Sequence, residues 1–278
     1  MNTVILSDSG AFSQIIQYPL GKRSSKPRAA GVTMVIDKGL GYEALNDHLE
    51  IASSYMDILK LGFGTSCLYP RHILRQKLSL ARVYSVHTCP GGTLTEIAIT
   101  QNVFHKYVER CAKLGFTAME ISDGTIELDA DTRLRAIELA KAHMGLVITE
   151  VGKKLERTTD MEKFVKQLVA DLEAGADYVI VEGRESGENI GIYGSHGEID
   201  EVLFEDFTAM LPPQALSKVM WEAPKKSQQV ELIKRFGQSV NLGNIPPSDV
   251  IALECLRLGL RSDSLTFTFD NSFKEAKF

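Results

Sequence analysis

A chain of 278 residues, 44% hydrophobic and 24% charged, has ordinary globular composition and is long enough for one large domain. Its formal net charge of -5 argues against a nucleic-acid role, and no apolar run approaches the ~20 residues of a membrane span. Four scattered cysteines without a CxxC pair argue against a disulfide framework or a zinc site; with no secretory pattern at the N-terminus, the expectation is a cytoplasmic protein.

Residues 1 to 30 are weakly patterned, and Gly21-Lys-Arg-Ser-Ser-Lys-Pro-Arg28 reads first as a basic, solvated arm or linker, with a first-turn lid or a positive cluster that meets an anionic ligand as the alternatives. From residue 31 the pattern becomes regular. A first strand over 32–36 ends in Asp37-Lys38, and a helix follows over 42–55. The second strand, 57–63, carries Lys60 and leads into a helix over 71–81. A third strand over 83–88 ends at Pro90-Gly-Gly-Thr93, and one long helix is expected over 94–114. The fourth strand, 118–123, precedes a helix over 131–143. The fifth begins at Gly145 and runs out through Glu150, Gly152, Lys153 and Lys154. Helix 161–174, strand 177–183, a polar loop to about 200, helix 201–210, strand 218–223, helix 227–236, strand 239–242 and helix 248–258 complete the series.

Eight strand–helix alternations imply parallel pairing and a closed (β/α)8 TIM barrel over residues 31–265, with a C-terminal tail over 266–278. A doubly wound open sheet is the alternative; it is weakened because no GxGxxG opens the first helix.

In such a barrel the carboxyl ends of the strands build the site. Here they carry Lys38, Lys60, Glu120, Asp123, Glu150, Glu182, Arg184, Glu222 and Asn241, whereas the opposite ends show no comparable set. Side chains alternate along a strand, so Glu150 shares a face with Ile148, Glu182 with Ile180, and Glu222 with Met220. If these faces point inward, three carboxylates converge. Glu120 and Asp123 have opposite parity; Asp123, at the strand's very end, is the one expected inward. Asp123, Glu150 and Glu182 are then the expected metal ligands. Oxygen donors without His or Cys clusters suit Mg2+ rather than zinc. The alternative is a metal-free network in which the carboxylates pair with Lys38, Lys60 and Arg184. Lys38, Arg184, the Gly91-Gly92-Thr93 turn, and the late-strand group Ser239, Asn241, Gly243 and Asn244, with Arg261 further on, are the expected contacts for an anionic substrate.

Blocks in this order resemble the phosphosulfolactate synthase family: Asp37-Lys-Gly39, Leu61-Gly-Phe-Gly-Thr-Ser66, Pro90-Gly-Gly-Thr-Leu94, Glu120-Ile-Ser-Asp-Gly124, Thr149-Glu-Val-Gly-Lys-Lys154, Val181-Glu-Gly-Arg-Glu-Ser-Gly187, Glu222-Ala-Pro224 and Ser239-Val-Asn-Leu242. The resemblance implies a Mg2+-dependent TIM barrel, a lyase that adds sulfite to phosphoenolpyruvate through a Mg-stabilised enediolate to give phosphosulfolactate. That reaction serves coenzyme M synthesis in methanogens and sulfolactate formation in spore-forming bacteria. The second lysine of Gly-Lys-Lys, Lys154, is the implied proton donor, with Lys60 and Glu150 as further catalytic candidates. A homo-oligomer is also implied. The family includes plant heat-stress-associated proteins, so a non-enzymatic barrel is one alternative; a different enolate-forming enzyme acting on a phosphorylated carboxylate is another.

Overall fold

Residues 10–12, 14–152, 161–183, 186–189 and 191–267 are described by a computed structural model of the chain. The first half alternates β1 (Thr33–Asp37), α1 (Tyr42–Ala52), β2 (Ile58–Leu61), α2 (Arg71–Val83), β3 (His87–Cys89), α3 (Gly92–Thr100), α4 (Phe104–Leu114), β4 (Ala118–Ile121) and α5 (Ala130–His143). The second half continues with β5 (Leu146–Val151), α6 (Met161–Glu173), β6 (Tyr178–Val181), α7 (Glu201–Met210), α8 (Pro213–Leu216), β7 (Val219–Glu222), α9 (Lys226–Phe236), β8 (Asn241–Ile245), α10 (Val250–Arg257) and α11 (Ser262–Leu265).

All strand pairs are parallel, in the order β3-β2-β1-β8-β7-β6-β5-β4. Between β3 and β4 the ladder gives way to a seam, where the Thr117 N–H donates to the Thr88 carbonyl (3.2 Å) and the Thr88 N–H donates to Thr117 Oγ1 (3.0 Å). The result is the expected single-domain (β/α)8 barrel.

Alternation along each strand makes two cores. Val35, Leu59, Met119, Val147, Val179 and Trp221 face outward onto the helices. Trp221 stacks on the Phe236 ring at 5.6 Å between centroids, in the strand–helix packing role its position suggests. Val32, Met34, Ile58, Ile148, Ile180 and Met220 fill the barrel interior.

Three element boundaries differ from the sequence reading. Helix α2 continues to Val83, which leaves β3 only three residues. The expected long third helix is two helices, broken at Gln101–Val103, where Asn102 takes φ +55°. Strand β8 begins at Asn241 and runs to Ile245 rather than ending at Leu242. The basic segment before β1, read as solvated, packs beneath the barrel over its described part. Arg23 pairs with Glu254 of α10, Lys26 donates to the Ser53 carbonyl (3.0 Å), and Arg28 pairs with Asp57 (3.2 Å).

On the outer face, Asp37 at the end of β1 points at α2. Its Oδ1 accepts the Gly39 and Leu40 N–H groups (2.8 and 2.7 Å), which shapes the β1–α1 turn. Its Oδ2 meets Lys77 Nζ at 2.6 Å, and both side chains are fully buried. Removing one partner of such a pair strands a charge and costs about 3–5 kcal/mol. Lys77→Met is therefore expected to lower unfolding stability by that amount in urea titrations, and the double variant Asp37→Asn/Lys77→Met to recover part of it.

Candidate active site at the barrel mouth

The interior walls end, at the carboxyl side of the strands, in charged rather than apolar residues. Lys60, Glu120, Glu150, Glu182 and Glu222 stand one step above Ile58, Ala118, Ile148, Ile180 and Met220 on the same faces, and all five are buried. They line a cavity of about 800 Å³ together with Phe63, Gly91, Gly92, Ser186 and Asn244.

Lys60 is the hub. Its Nζ lies 3.0 Å from Glu120 Oε2, 3.4 Å from Glu222 Oε1 and 3.9 Å from Glu150 Oε2. Burial works against its charge, but Glu120, Glu222 and Glu150 outweigh that and hold the ammonium well above the usual lysine range. These three carboxylates thus favour the charged form of Lys60.

The carboxylates are anchored by their own backbone neighbours. Glu120 Oε1 accepts the Gly92 N–H at the start of α3 (2.8 Å), and Glu222 Oε2 accepts the Gly183 N–H (3.0 Å). A Cβ on Gly92 would lie 2.5 Å from that same Glu120 oxygen, so only glycine permits the contact. The Gly91-Gly92-Thr93 turn, read as a site for a substrate anion, spends the Gly92 N–H on the protein's own carboxylate. Ser122 Oγ donates toward Glu150 Oε1 (3.1 Å) and also lies 2.9 Å from Glu96 Oε1.

One oxygen from each of Glu150, Glu182 and Glu222 lies within 4.8 Å of the others. Four cavity-lining carboxylates against Lys60, the one basic side chain lining it among the described residues, leave an excess of negative charge. An all-oxygen donor set of this kind fits a hard divalent cation such as Mg2+. Burial pushes the Glu222 carboxyl upward; Lys60 opposes this, while Glu150 and Glu120 add to it.

Of the residues singled out from sequence, Lys60, Glu150 and Glu182 meet at the mouth. Asp123 does not join them. Strand β4 ends at Ile121, its inward parity falls on Glu120 and Ser122, and Asp123 turns outward to Arg133 Nη1 at 2.8 Å. Arg133 also grips Asp171 (2.6 Å) and donates to the Glu150 carbonyl (2.8 Å), so Asp123 belongs to a girdle that braces the end of β5.

Asn241, expected at the mouth, opens β8 at the opposite end. Its amide joins Val32 N–H, the Ser217 carbonyl and the Val219 carbonyl, each at 3.0 Å. Ser239 precedes that strand and is exposed. Gly243 lies inside the barrel, where a Cβ would come within 2.9 Å of Met34 Cε. Arg261 is 3.8 Å from Asp263 at the start of α11, outside the cavity lining, and Lys38 is exposed beyond β1 and outside that lining too. Lys153, Lys154 and Arg184 lie outside the described residues.

Sequence reasoning missed Glu96 and Ser122, whereas Asn244 is among the late-strand residues it names. Glu96 sits inside an apolar helix, yet it is buried and accepts the Thr125 N–H (3.2 Å). Asn244 reaches the mouth because a register shift between β1 and β8, with Asn244 at φ +54°, breaks the alternation that parity arguments assume.

Because the Glu222 carboxyl is raised, its protonated form favours folding; that contribution is full below its ordinary value near 4.5 and is lost as pH rises through the folded value. With chelator present, Glu222→Gln is expected to melt above the parent at pH 7.5, and the gap is expected to shrink toward pH 4.5. A gap independent of pH in paired melting curves would contradict this.

The (2R)-phospho-3-sulfolactate synthase (ComA) family model matches residues 21–263. The phosphosulfolactate synthase of Methanothermobacter thermautotrophicus is 45% identical over 246 residues, covering 87% of this chain and 94% of that protein. Protein HEAT-STRESS-ASSOCIATED 32 of Arabidopsis thaliana is 25% identical over 264 residues, covering 84% and 88%. Among solved structures, 3-hexulose-6-phosphate synthase from Salmonella typhimurium superposes with a TM-score of 0.51 at 13% identity, covering 85% of this chain and 98% of that one, a likeness of fold. The family match spans every strand that supplies the mouth, and the chain belongs to the phosphosulfolactate synthase family.

Proposed function

We propose that this protein adds sulfite to phosphoenolpyruvate to form phosphosulfolactate, acting as a lyase with Mg2+ held by Glu150, Glu182 and Glu222. The observation that carries this reading is the cluster itself: three carboxylate oxygens within 4.8 Å of one another, beside a fixed Lys60, in a cavity of about 800 Å³. Carboxylates gathered in a buried site are costly unless a cation joins them.

In the reaction, the sulfite sulfur forms a bond to the methylene carbon of phosphoenolpyruvate. The double-bond electrons move toward the carboxylate, and a proton then reaches the carbon bearing the phosphate. A bound Mg2+ supplies positive charge where the substrate carboxylate gains electron density. Lys60 adds a second fixed positive charge at the same wall. Lys154 is the proposed acid, and Arg184, just after β6, the proposed phosphate contact. Lys154 follows Gly152, whose φ of +117° and close approach to Glu182 (a Cβ would lie 3.0 Å from Glu182 Cβ) bring the end of β5 against the carboxylate cluster.

Purified protein incubated with phosphoenolpyruvate, sulfite and Mg2+ is expected to yield phosphosulfolactate by mass spectrometry. Lys154→Ala should lower kcat by about 100- to 10,000-fold, Lys153→Ala much less, and Lys154→Arg should not rescue, because guanidinium holds its proton. No product under any divalent cation would favour the non-enzymatic or alternative-substrate readings.

Mg2+ alone is expected to raise the melting temperature by mass action, and Glu150→Gln to weaken that response. An unchanged melting curve at saturating Mg2+ would point instead to a metal-free carboxylate–lysine network.

A further inference from the structure

A second cavity opens at the opposite end of the barrel. Val32, Ile58, His87, Thr117, Leu146 and Tyr178 stand at or just before the starts of six consecutive strands, and they wall a space of about 460 Å³. That volume lies within the usual range for small-molecule sites. The inner layer of Met34, Cys89, Ile148, Ile180 and Met220 lies above it and separates it from the catalytic mouth.

The chemistry of its rim is one-sided. Lys26, Arg28, Arg82 and His87 line it against a single carboxylate, Asp57. Asp57 is already committed: its Oδ2 accepts the Thr33 N–H (2.8 Å) and meets Arg28 Nη1 (3.2 Å). Arg28 is almost fully buried, and its Nε has no hydrogen-bond partner. Lys26 Nζ spends two of its three donors on the Ser53 and Tyr84 carbonyls (3.0 and 3.1 Å), which position it and leave a third. Burial depresses Lys26 to about 8; Asp57 opposes the shift and Arg28 adds to it, so an anion placed here would relieve a real electrostatic cost. His87 Nδ1 is engaged with Thr117 Oγ1 at 3.2 Å.

Apolar walls beneath a cationic rim select for one kind of guest. We propose that the amino-terminal mouth of the barrel is a binding site for a small organic anion, a carboxylate or sulfonate with a compact apolar body. The body would enter against Ile58, Leu146 and Tyr178, and the charged end would stay at Lys26, Arg28 and His87. The site shares strands β1, β2, β4, β5 and β6, or the residues next to them, with the carboxylate mouth but none of the side chains lining it, and the proposal is independent of the reaction assigned there.

Benzenesulfonate serves as the probe, followed by calorimetric titration and thermal melting of the full-length protein. It is expected to bind one per chain and raise the melting temperature. Methanesulfonate, which lacks the apolar body, and benzyl alcohol, which lacks the charge, should each bind at least tenfold more weakly. Lys26→Gln should weaken benzenesulfonate about tenfold. Leu146→Trp, which fills the cavity from within, should abolish binding; both variants are first matched to the parent by circular dichroism. If Leu146→Trp does not fold, the Lys26→Gln result decides. Absence of binding by the parent, or undiminished binding by Lys26→Gln, would overturn the proposal.

Discussion

The interior of this barrel is closed, at the carboxyl ends of its strands, by carboxylates that stand close together away from water, with Lys60 among them. Like charges at such distances repel strongly in a medium of low dielectric, and burial alone penalises each one. Three of the four acids are held by donors of the chain: Glu120 by the Gly92 N–H, Glu222 by the Gly183 N–H, and Glu150 by the Ser122 hydroxyl. Those donors in turn require glycine-bearing turns directly after β3 and β6. The two glycine turns thus sit where their N–H groups meet Glu120 and Glu222.

The same cluster shows what could be read from the sequence. Glu150, Glu182 and Glu222 follow Ile148, Ile180 and Met220 by two residues each, and period-two alternation carries that spacing into three dimensions without correction. Registers such as Glu150 opposite Ile180 and Met220 opposite Asn241 keep neighbouring strands in step. Where the alternation is interrupted, reading from sequence goes astray. Asp123 lies beyond the last paired residue of β4, where a guanidinium from α5 captures it. Asn244, which the sequence offers only as one of a late-strand group, is turned into the mouth by an irregularity in the β1–β8 pairing that parity does not capture. The start of β8 was misplaced for a similar reason: Ser239-Val-Asn-Leu242 reads as a strand by composition, but the ladder begins at Asn241, which makes the amide a brace at the far rim.

Glu96 illustrates another kind of illegibility. A lone glutamate in an otherwise apolar helix reads as a surface residue, and nothing local says otherwise. It is buried because α3 starts directly from the glycine turn over Glu120, so its first turn lies against the mouth and meets Ser122 and Thr125. Helix placement depends on where the preceding strand ends, a tertiary fact absent from the helix's own pattern.

Buried charge alone does not distinguish a site from a scaffold in this molecule. Asp37 with Lys77, and Asp171 with Arg133, are as deeply buried as the acids of the mouth, yet each is matched by a cation within 2.6 Å and by further hydrogen bonds. The first pair ties β1 to α2 and the second ties α5 to α6. Among the described residues lining the inner mouth, four carboxylates face Lys60, and at the amino-terminal rim the imbalance has the opposite sense, with Lys26, Arg28 and Arg82 around Asp57. A scaffold built only for stability would gain by removing such imbalances, since a charge-neutral apolar packing of the same volume is no worse and often better. Persistent excess of one sign, held rigidly by backbone donors or carbonyls, is therefore the physical mark of a surface completed by something other than the chain. By that criterion the two proposals, a cation among the carboxylates and an anion beneath the arm that carries Lys26 and Arg28, rest on one kind of observation, an imbalance of charge among the described residues at each end of the barrel.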